Sequence, residues 1–107
     1  MSDAEKGSPN AYADLGYSDA DEMLVKARLV TKIREIIQSR GWTQQEAAAV
    51  LGMPQPKLSN VLRGQFRGVS EAKLMECLTR LGRQVQIVVG PARQTDDVVH
   101  VEVVFAA

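Results

Sequence analysis

The sequence predicts a mainly α-helical domain followed by two short β-strands. Between residues 19 and 83, apolar side chains recur every three or four positions, and capping residues or glycines stand at the ends of each periodic segment. This pattern is typical of amphipathic helices. Beyond Arg83 the apolar period changes to two, which is typical of half-buried strands. A chain of 107 residues is long enough for one domain with its own core.

Composition limits the classes of function that remain. No apolar run reaches the length of a bilayer, and the N-terminus lacks a charged-then-apolar signal pattern, so we expect a soluble, cytoplasmic protein with no membrane partner. Cys77 and His100 are single residues of their types, so we expect no disulfide, no metal site and no cofactor. Without paired carboxylates suited to a pocket or a phosphate-binding glycine loop, we expect no enzyme activity.

Charge is distributed unevenly along a chain whose formal net charge is zero. Residues 1–22 hold six acidic side chains against one lysine, and residues 84–107 hold three against one arginine. Residues 23–83 hold eleven Lys and Arg against four Glu, a net charge of +7. A local basic surface is what phosphate binding requires, whatever the total charge.

The first predicted helix runs from about residue 19 to residue 39. Ser18 or Asp19 can cap its start, and Gly41 stops it. Its predicted buried stripe is Val25, Leu29, Ile33, Ile36 and Ile37, and its predicted solvent side includes Lys26, Lys32, Arg34 and Glu35. Residues 1–18 are predicted to form a flexible arm. Its apolar anchors Tyr12, Leu15 and Tyr17 either pack on the protein's own helices or contact a partner protein.

Residues 43–64 are predicted to form two short helices around a tight turn. Thr43 and Glu46 can form a capping box at the first helix, and Gly52 suits the left-handed residue that ends it. Two prolines, Pro54 and Pro56, are tolerated only before or within the first turn of the second helix. The inward residues of that helix are Leu58, Val61 and Leu62, and its outer face consists of Gln55, Lys57, Ser59, Asn60 and Arg63.

Two short helices joined by a glycine-containing turn describe a helix-turn-helix. The outward side chains of the second helix are of the types that hydrogen-bond to base edges and phosphates. A plain helical hairpin would not require amide-rich chemistry on one exposed face. The segment therefore predicts binding to double-stranded DNA. Arg63, and Arg67 in the loop after Gly64, are predicted to lie where phosphates pass.

A last helix is predicted from the Ser70 cap to about Leu81, and β-strands are predicted over residues 84–89 and 98–105. The strand residues predicted to take part in dimerisation are Val85, Ile87, Val89, Val99, Val101, Val103 and Phe105. A lone two-stranded hairpin is marginal in water. We therefore expect hairpins from two chains to share a sheet in a homodimer, the alternative being a hairpin folded over its own helices.

From Leu29 to Val89 the sequence resembles the Xre family of bacterial and phage repressors, which have a lambda-repressor-like helix-turn-helix. The residues that carry the resemblance are Thr43-Gln44, Glu46-Ala47-Ala48, Leu51-Gly52, Gln55, Leu58-Ser59 and Arg63-Gly64. Three flanking segments look like the branch that contains HigA-type antitoxins: residues 13–16, 66–70 and 78–85. The resemblance implies a bundle of four to five helices. It also implies an antitoxin that neutralises a RelE-like RNA-cutting toxin and represses its own operon.

The resemblance also assigns roles to residues of this chain. It implies base contacts in the major groove from Gln55, Pro56, Lys57 and Asn60, and a phosphate contact from Gln44. Pro56 has no polar group, so it offers only an apolar contact to a thymine methyl. The full set of expected backbone contacts is Thr43, Gln44, Ser59, Arg63 and Arg67.

The sequence thus predicts three parts: an arm over residues 1–18, a helix-turn-helix domain over residues 19–83, and dimerisation strands over residues 84–107. The predicted function is a dimeric repressor of a palindromic operator, acting as the antitoxin of a type II toxin-antitoxin operon. The alternatives are a module whose main task is to neutralise a RelE-like toxin, and a stand-alone Xre-type regulator with no toxin.

Overall fold

The computed structural model describes residues 18–92 and 101–106. Four helices occupy this part of the chain: α1 (Asp19–Arg40), α2 (Gln44–Leu51), α3 (Gln55–Leu62) and α4 (Glu71–Arg80). The prediction of a mainly α-helical fold is confirmed, with four helices. The predicted arm, apart from Ser18, lies outside the described residues.

Local hydrogen bonds explain where three of the helices begin. At α1, the Asp21 N–H donates to Ser18 Oγ at 3.1 Å. At α2, the Glu46 N–H donates to Thr43 Oγ1 at 3.1 Å, and the Thr43 N–H donates back to Glu46 Oε1 at 2.8 Å. At α4, the Lys73 N–H donates to Ser70 Oγ at 3.0 Å. Each bond satisfies an N–H group that the helix itself leaves unpaired.

One hydrophobic core joins the four helices. The long helix α1 packs against α4 and α3, while α2 packs against α3 and α4. The predicted apolar stripe of α1 is buried throughout, and Phe66 and Val69 anchor the loop between α3 and α4. The side chains with the least exposure include Ile33, Leu51, Leu58, Leu74 and Leu81. The core therefore fixes α2 and α3 relative to each other and leaves one side of α3 at the surface.

The structure corrects the predicted position of Lys26, which is buried on α1 rather than solvated. Only 3% of the residue is exposed. Its Nζ donates to the Arg67 carbonyl oxygen at 2.9 Å and lies 3.1 Å from Glu22 Oε2. Because the buried charge has both a carbonyl and a carboxylate partner, its desolvation is offset. Lys26 therefore ties α1 to the loop that follows α3.

The predicted β-hairpin over residues 84–89 and 98–105 is not supported. Neither residues 84–92 nor residues 101–106 contain a strand, and no backbone hydrogen bond joins these two described segments. The reason is that an apolar alternation specifies one covered side but no pairing partner. Residues 101–106 instead lie beside α1. The alternative of a hairpin folded over its own helices is therefore not supported either, because the segment that lies on α1 contains no strand.

The contacts of this C-terminal segment are made by its alternate side chains. Val103 packs against the core, and Arg28 donates from Nη2 to the Val103 carbonyl oxygen at 3.1 Å. The Phe105 ring lies under the Lys32 ammonium at 4.7 Å and the Arg28 guanidinium at 5.4 Å from its centroid. Such cation–π contacts favour aromatic side chains beside basic ones.

The other predicted dimerisation residues are less covered. Val85 is half-buried against the core, whereas Ile87 and Val89 are 79% and 90% exposed and Val101 is 56% exposed. Val99 lies outside the described residues. No helix of residues 18–92 combines the length and the apolar character needed to cross a bilayer.

Candidate nucleic-acid interface

The turn between α2 and α3 has the backbone geometry that the sequence predicts. Gly52 has φ 65° and ψ 40°, in the left-handed region that glycine occupies without a steric penalty. The Met53 N–H donates to the Ala48 carbonyl oxygen at 3.1 Å, which closes the end of α2. Pro54 then precedes α3 and Pro56 stands in its first turn. The chain therefore turns within a few residues and begins α3 at the surface.

One side of α3 is buried and the opposite side is open. Leu58 and Val61 are almost fully buried, and Leu62 packs against the core. Pro56, Lys57 and Asn60 are exposed, while Gln55 and Ser59 are half-buried. Pro56 and Asn60 lie on the same side of α3 by helical spacing, opposite the buried side, whereas Gln55 and Lys57 flank Pro56 in the first turn.

The first residues of α2 and α3 are joined by their side chains. Gln55 Nε2 donates to Gln44 Oε1 at 3.0 Å across the turn. This bond uses one of the donors of Gln55 and leaves its Oε1 and its second N–H available. Gln44 therefore holds the Gln55 amide in one orientation at the N-terminal end of the exposed face.

A second polar cluster lies at the C-terminal end of α3. The Arg63 Nη1 donates to Ser59 Oγ at 2.6 Å, and its Nη2 donates to Asn60 Oδ1. Arg63 thus lies along the face rather than extending away from it. The Asn60 amide keeps its N–H donors for another partner. The predicted base contact Asn60 and the predicted phosphate contacts Ser59 and Arg63 form one hydrogen-bonded group.

Between these clusters lies Lys57, which is exposed. Within the described part of the chain its ammonium makes no ion pair or hydrogen bond, so it is available to a phosphate or a base. Thr43, another predicted backbone contact, is engaged in the capping box, where its Oγ1 accepts one hydrogen bond, and its hydroxyl proton remains available to a phosphate oxygen.

Arg67 is joined to α1 and not to any other predicted site residue. Its Nη1 lies 3.0 Å from both carboxylate oxygens of Asp19, and both side chains are 69% exposed. Its carbonyl oxygen accepts from the buried Lys26. The structure therefore brings two residues of α1 to Arg67 that the sequence did not single out for this site. The spacing of Asp19 and Lys26 places them on one side of α1, but Arg67 lies 48 and 41 residues away from them, so no local signal in the sequence points to these contacts.

The end of α2 is braced by α4. Arg80 donates from Nε to Glu76 Oε2 at 3.0 Å and from Nη1 to the Val50 carbonyl oxygen at 3.4 Å. The hydrogen bond from Arg80 and then the charge of Lys73 lower the pKa of Glu76 from its ordinary value. The carboxylate therefore stays ionised and holds Arg80 beside the turn.

Two further features concern reactive or metal-binding groups. Burial raises the pKa of the Cys77 thiol, which keeps it protonated within the core. In residues 18–92 and 101–106, no three His, Cys, Asp or Glu side chains form a group that could hold a metal ion.

The four-helix fold and the exposed surface of α3 define a class of protein. It is a helix-turn-helix domain in which α2 and α3 are the two helices of the motif and α3 presents amides and cations to the solvent. A family model described as "Helix-turn-helix domain" matches residues 11–90. The chain belongs to this helix-turn-helix family.

A solved structure gives a finer comparison. The chain described as "Putative XRE Family Transcriptional Regulator" is 33% identical and superposes with a TM-score of 0.77. The match covers 82% of this chain and 99% of that one. The helix-turn-helix is therefore of the Xre type, and both comparisons support a DNA-binding regulator of transcription. No curated protein matches the sequence.

Proposed function

We propose that this protein is a sequence-specific, double-stranded DNA-binding repressor that acts as a homodimer, with no enzyme activity and no cofactor. The observation that carries the proposal is the solvent-accessible part of α3, which includes Gln55, Lys57 and Asn60, with the Gln55 amide oriented by its 3.0 Å hydrogen bond to Gln44. An orienting partner lowers the entropy cost of a base contact, because the amide is already positioned before DNA arrives.

The dimensions of α3 suit the major groove. An α-helix with its side chains is about 10–12 Å across, which matches the groove width of about 12 Å, and α3 has eight residues to lay along it. Gln55 keeps an oxygen and an N–H, the pair that adenine requires. Pro56 offers an apolar contact to a thymine methyl, and Lys57 suits guanine or phosphate. Asn60, whose oxygen is held by Arg63, offers its N–H donors to a base acceptor. The proposed backbone contacts are Thr43, Gln44, Ser59, Arg63 and Arg67.

Dimerisation through the C-terminal residues is part of the proposal. It is supported by three consecutive apolar side chains, Ile87, Val88 and Val89, which are 79%, 85% and 90% exposed. Their backbone groups make no hydrogen bond within the described residues, so a second chain can pair with them. A two-fold dimer places two copies of α3 on half-sites about one DNA turn, roughly 34 Å, apart in a palindromic operator.

We also propose that the repressor is the antitoxin of a type II toxin-antitoxin operon and binds a RelE-like toxin. The resemblance of residues 66–70 and 78–85 to HigA-type antitoxins supports this role. A stand-alone Xre-type regulator is the alternative. If a neighbouring gene encodes a small basic protein, co-expression with that protein decides between them. Stable co-purification that survives loss of DNA binding supports the antitoxin, and absence of any complex supports the stand-alone regulator.

The proposal is tested by selecting bound fragments from random-sequence DNA with the full chain. The expected result is an enriched palindrome with the half-site spacing given above. Gln55→Ala is expected to relax preference at one half-site position and cost about 1–3 kcal/mol of binding free energy, as is Asn60→Ala at another. Gln38→Ala, an exposed glutamine near the C-terminal end of α1, is the matched control and leaves binding unchanged. Enrichment of no sequence, or an unchanged preference in both site variants, would contradict the proposed readout.

A further inference from the structure

The face of α1 nearest Arg67 carries three charged residues at helical spacing. Asp19, Glu22 and Lys26 follow one another at intervals of three and four, so they lie on one side of the helix. Lys26 donates to the Arg67 carbonyl oxygen at 2.9 Å, while Glu22 neutralises Lys26 from 3.1 Å. The Asp19 carboxylate accepts hydrogen bonds from the Arg67 guanidinium. The same helix therefore holds both the backbone and the side chain of this arginine.

The two contacts differ in how easily they exchange. The Lys26 side chain is only 4% exposed, so its bond to the Arg67 backbone is protected from water and competing ions. The Asp19–Arg67 pair is exposed on both sides, and exposed ion pairs contribute little to stability and are screened by salt. Lys26 thus fixes where the Arg67 side chain begins, and the guanidinium is free to change partners.

A carboxylate and a phosphate present similar targets to an arginine. Each offers two anionic oxygens to the guanidinium N–H groups. Asp19 accepts from the Nη1 of Arg67 with both of its oxygens, at 3.0 Å each, and cancels its charge. The remaining donors of Arg67, Nε and Nη2, have no partner among the described residues. Arg67 is therefore half-engaged and remains accessible to an approaching anion.

We propose that Asp19 is an intramolecular competitor for the DNA phosphate that Arg67 contacts. In the free protein the carboxylate occupies the guanidinium; on binding, a phosphate replaces it and Asp19 returns to water. Asp19 thereby lowers DNA affinity without touching DNA. This inference rests on the proposed DNA binding. Because the contact is to a phosphate, its effect is the same on every sequence.

The test is a binding titration of the full chain with a labelled mixed-sequence duplex at several salt concentrations. Asp19→Asn is expected to tighten binding about 2- to 5-fold in dilute salt, with the gain shrinking as salt rises, because the pair it removes is exposed. Glu35→Gln makes the same charge change on α1 and also breaks an ion pair, between the exposed Glu35 and the half-buried Lys32. Glu35 lies sixteen residues further on, roughly 24 Å along the helix. At about 0.1 M salt, where charges more than about 10 Å apart are largely screened, its replacement is expected to leave affinity unchanged.

A double-mutant cycle separates competition at Arg67 from a general effect of negative charge. Arg67→Gln is expected to weaken binding and reduce the salt slope by about one. In the Arg67→Gln background, Asp19→Asn is expected to have no further effect. An equal gain in both backgrounds, or equal gains from Asp19→Asn and Glu35→Gln, would overturn the proposal. So would an unchanged affinity of Asp19→Asn when its thermal unfolding matches the parent.

The outcomes also distinguish this inference from the function on which it rests. A parent protein that binds no duplex even in dilute salt contradicts both proposals. A parent that binds duplex DNA but gains nothing from Asp19→Asn contradicts only the competition at Arg67.

Discussion

Replacing Lys26 with methionine tests the unexpected tie between α1 and the loop after α3. Methionine keeps most of the aliphatic stem, so packing within α1 is largely preserved. It removes the ammonium that donates to the Arg67 carbonyl oxygen and pairs with Glu22. The variant therefore isolates the polar part of a residue that is 3% exposed.

The structure sets the size of the effect. A hydrogen bond from a charged donor contributes about 1.5–3 kcal/mol net when both partners are buried. The loop lies at the surface, so in the variant water can partly hydrate the Arg67 carbonyl oxygen that has lost its donor. The Glu22 side chain is already 30% exposed and becomes hydrated when its lysine partner is removed. We therefore expect Lys26→Met to lower the free energy of unfolding by about 1–2 kcal/mol. For a domain of this size that corresponds to a fall in Tm of roughly 5–15 °C.

Urea unfolding followed by circular dichroism, at one protein concentration for all variants, measures the loss. Lys73→Met is the matched control. Lys73 also pairs with a glutamate, Glu76, at 3.5 Å, but it is 29% exposed and holds no distant carbonyl. Its replacement is expected to cost less than about 0.5 kcal/mol. Equal losses in the two variants, or no loss in Lys26→Met, would refute the argument that the buried bond to the loop stabilises the fold.

Two further substitutions test the turn and the C-terminal segment. Gly52→Ala places a Cβ at a residue with φ 65° and 2.8 Å from the Arg80 guanidinium, so it is expected to lower the free energy of unfolding by about 1–2 kcal/mol in the same assay. The control is Gly68→Ala, which has open space around it and no positive φ and is expected to stay within about 0.5 kcal/mol of the parent. Similar losses in the two variants would contradict the strain argument. Phe105→Ala removes the ring beneath Arg28 and Lys32, whose contacts with it contribute about 1 kcal/mol in total. The variant is therefore expected to speed proteolysis of the C-terminal segment several-fold. An unchanged cleavage rate would show that the ring does not hold the segment on α1.

The helices were predictable because their ends depend on neighbours a few residues away. The Thr43–Glu46 box closes over three residues, and the left-handed Gly52 needs only the preceding turn. Ser70 caps α4 in the same local way. The exposed face of α3 followed from these boundaries, because the helical period then decides which side Leu58 and Val61 bury.

The polar connections within the site were less predictable. That Gln44 would bond Gln55 depends on the turn bringing two helix starts together, eleven residues apart. The bonds from Arg63 to Ser59 and Asn60 fall within about one helical turn. An arginine side chain has many rotamers and can reach several partners, so the sequence alone does not predict these two bonds. Which residues touch DNA remains a prediction from both the sequence and the geometry.

The C-terminal segment shows that an alternating apolar pattern does not predict which element covers it. Alternation at Val101, Val103 and Phe105 specifies an extended segment with one covered side, but a helix can cover that side as well as a strand can. In the described chain the segment lies on α1 because Arg28 donates to the Val103 carbonyl oxygen and because Arg28 and Lys32 both lie over the Phe105 ring.

The sequence by itself determined the four helices, the turn and the polar character of α3, because caps, glycines and the apolar period act over a few residues. Only the tertiary structure decided that Lys26 is buried, that Asp19 meets Arg67 across 48 positions, and that the C-terminal segment lies on α1. These are contacts between charges and carbonyls or carboxylates far apart in the chain. Such groups are satisfied equally well by water, so only packing that excludes water or brings them together selects one partner.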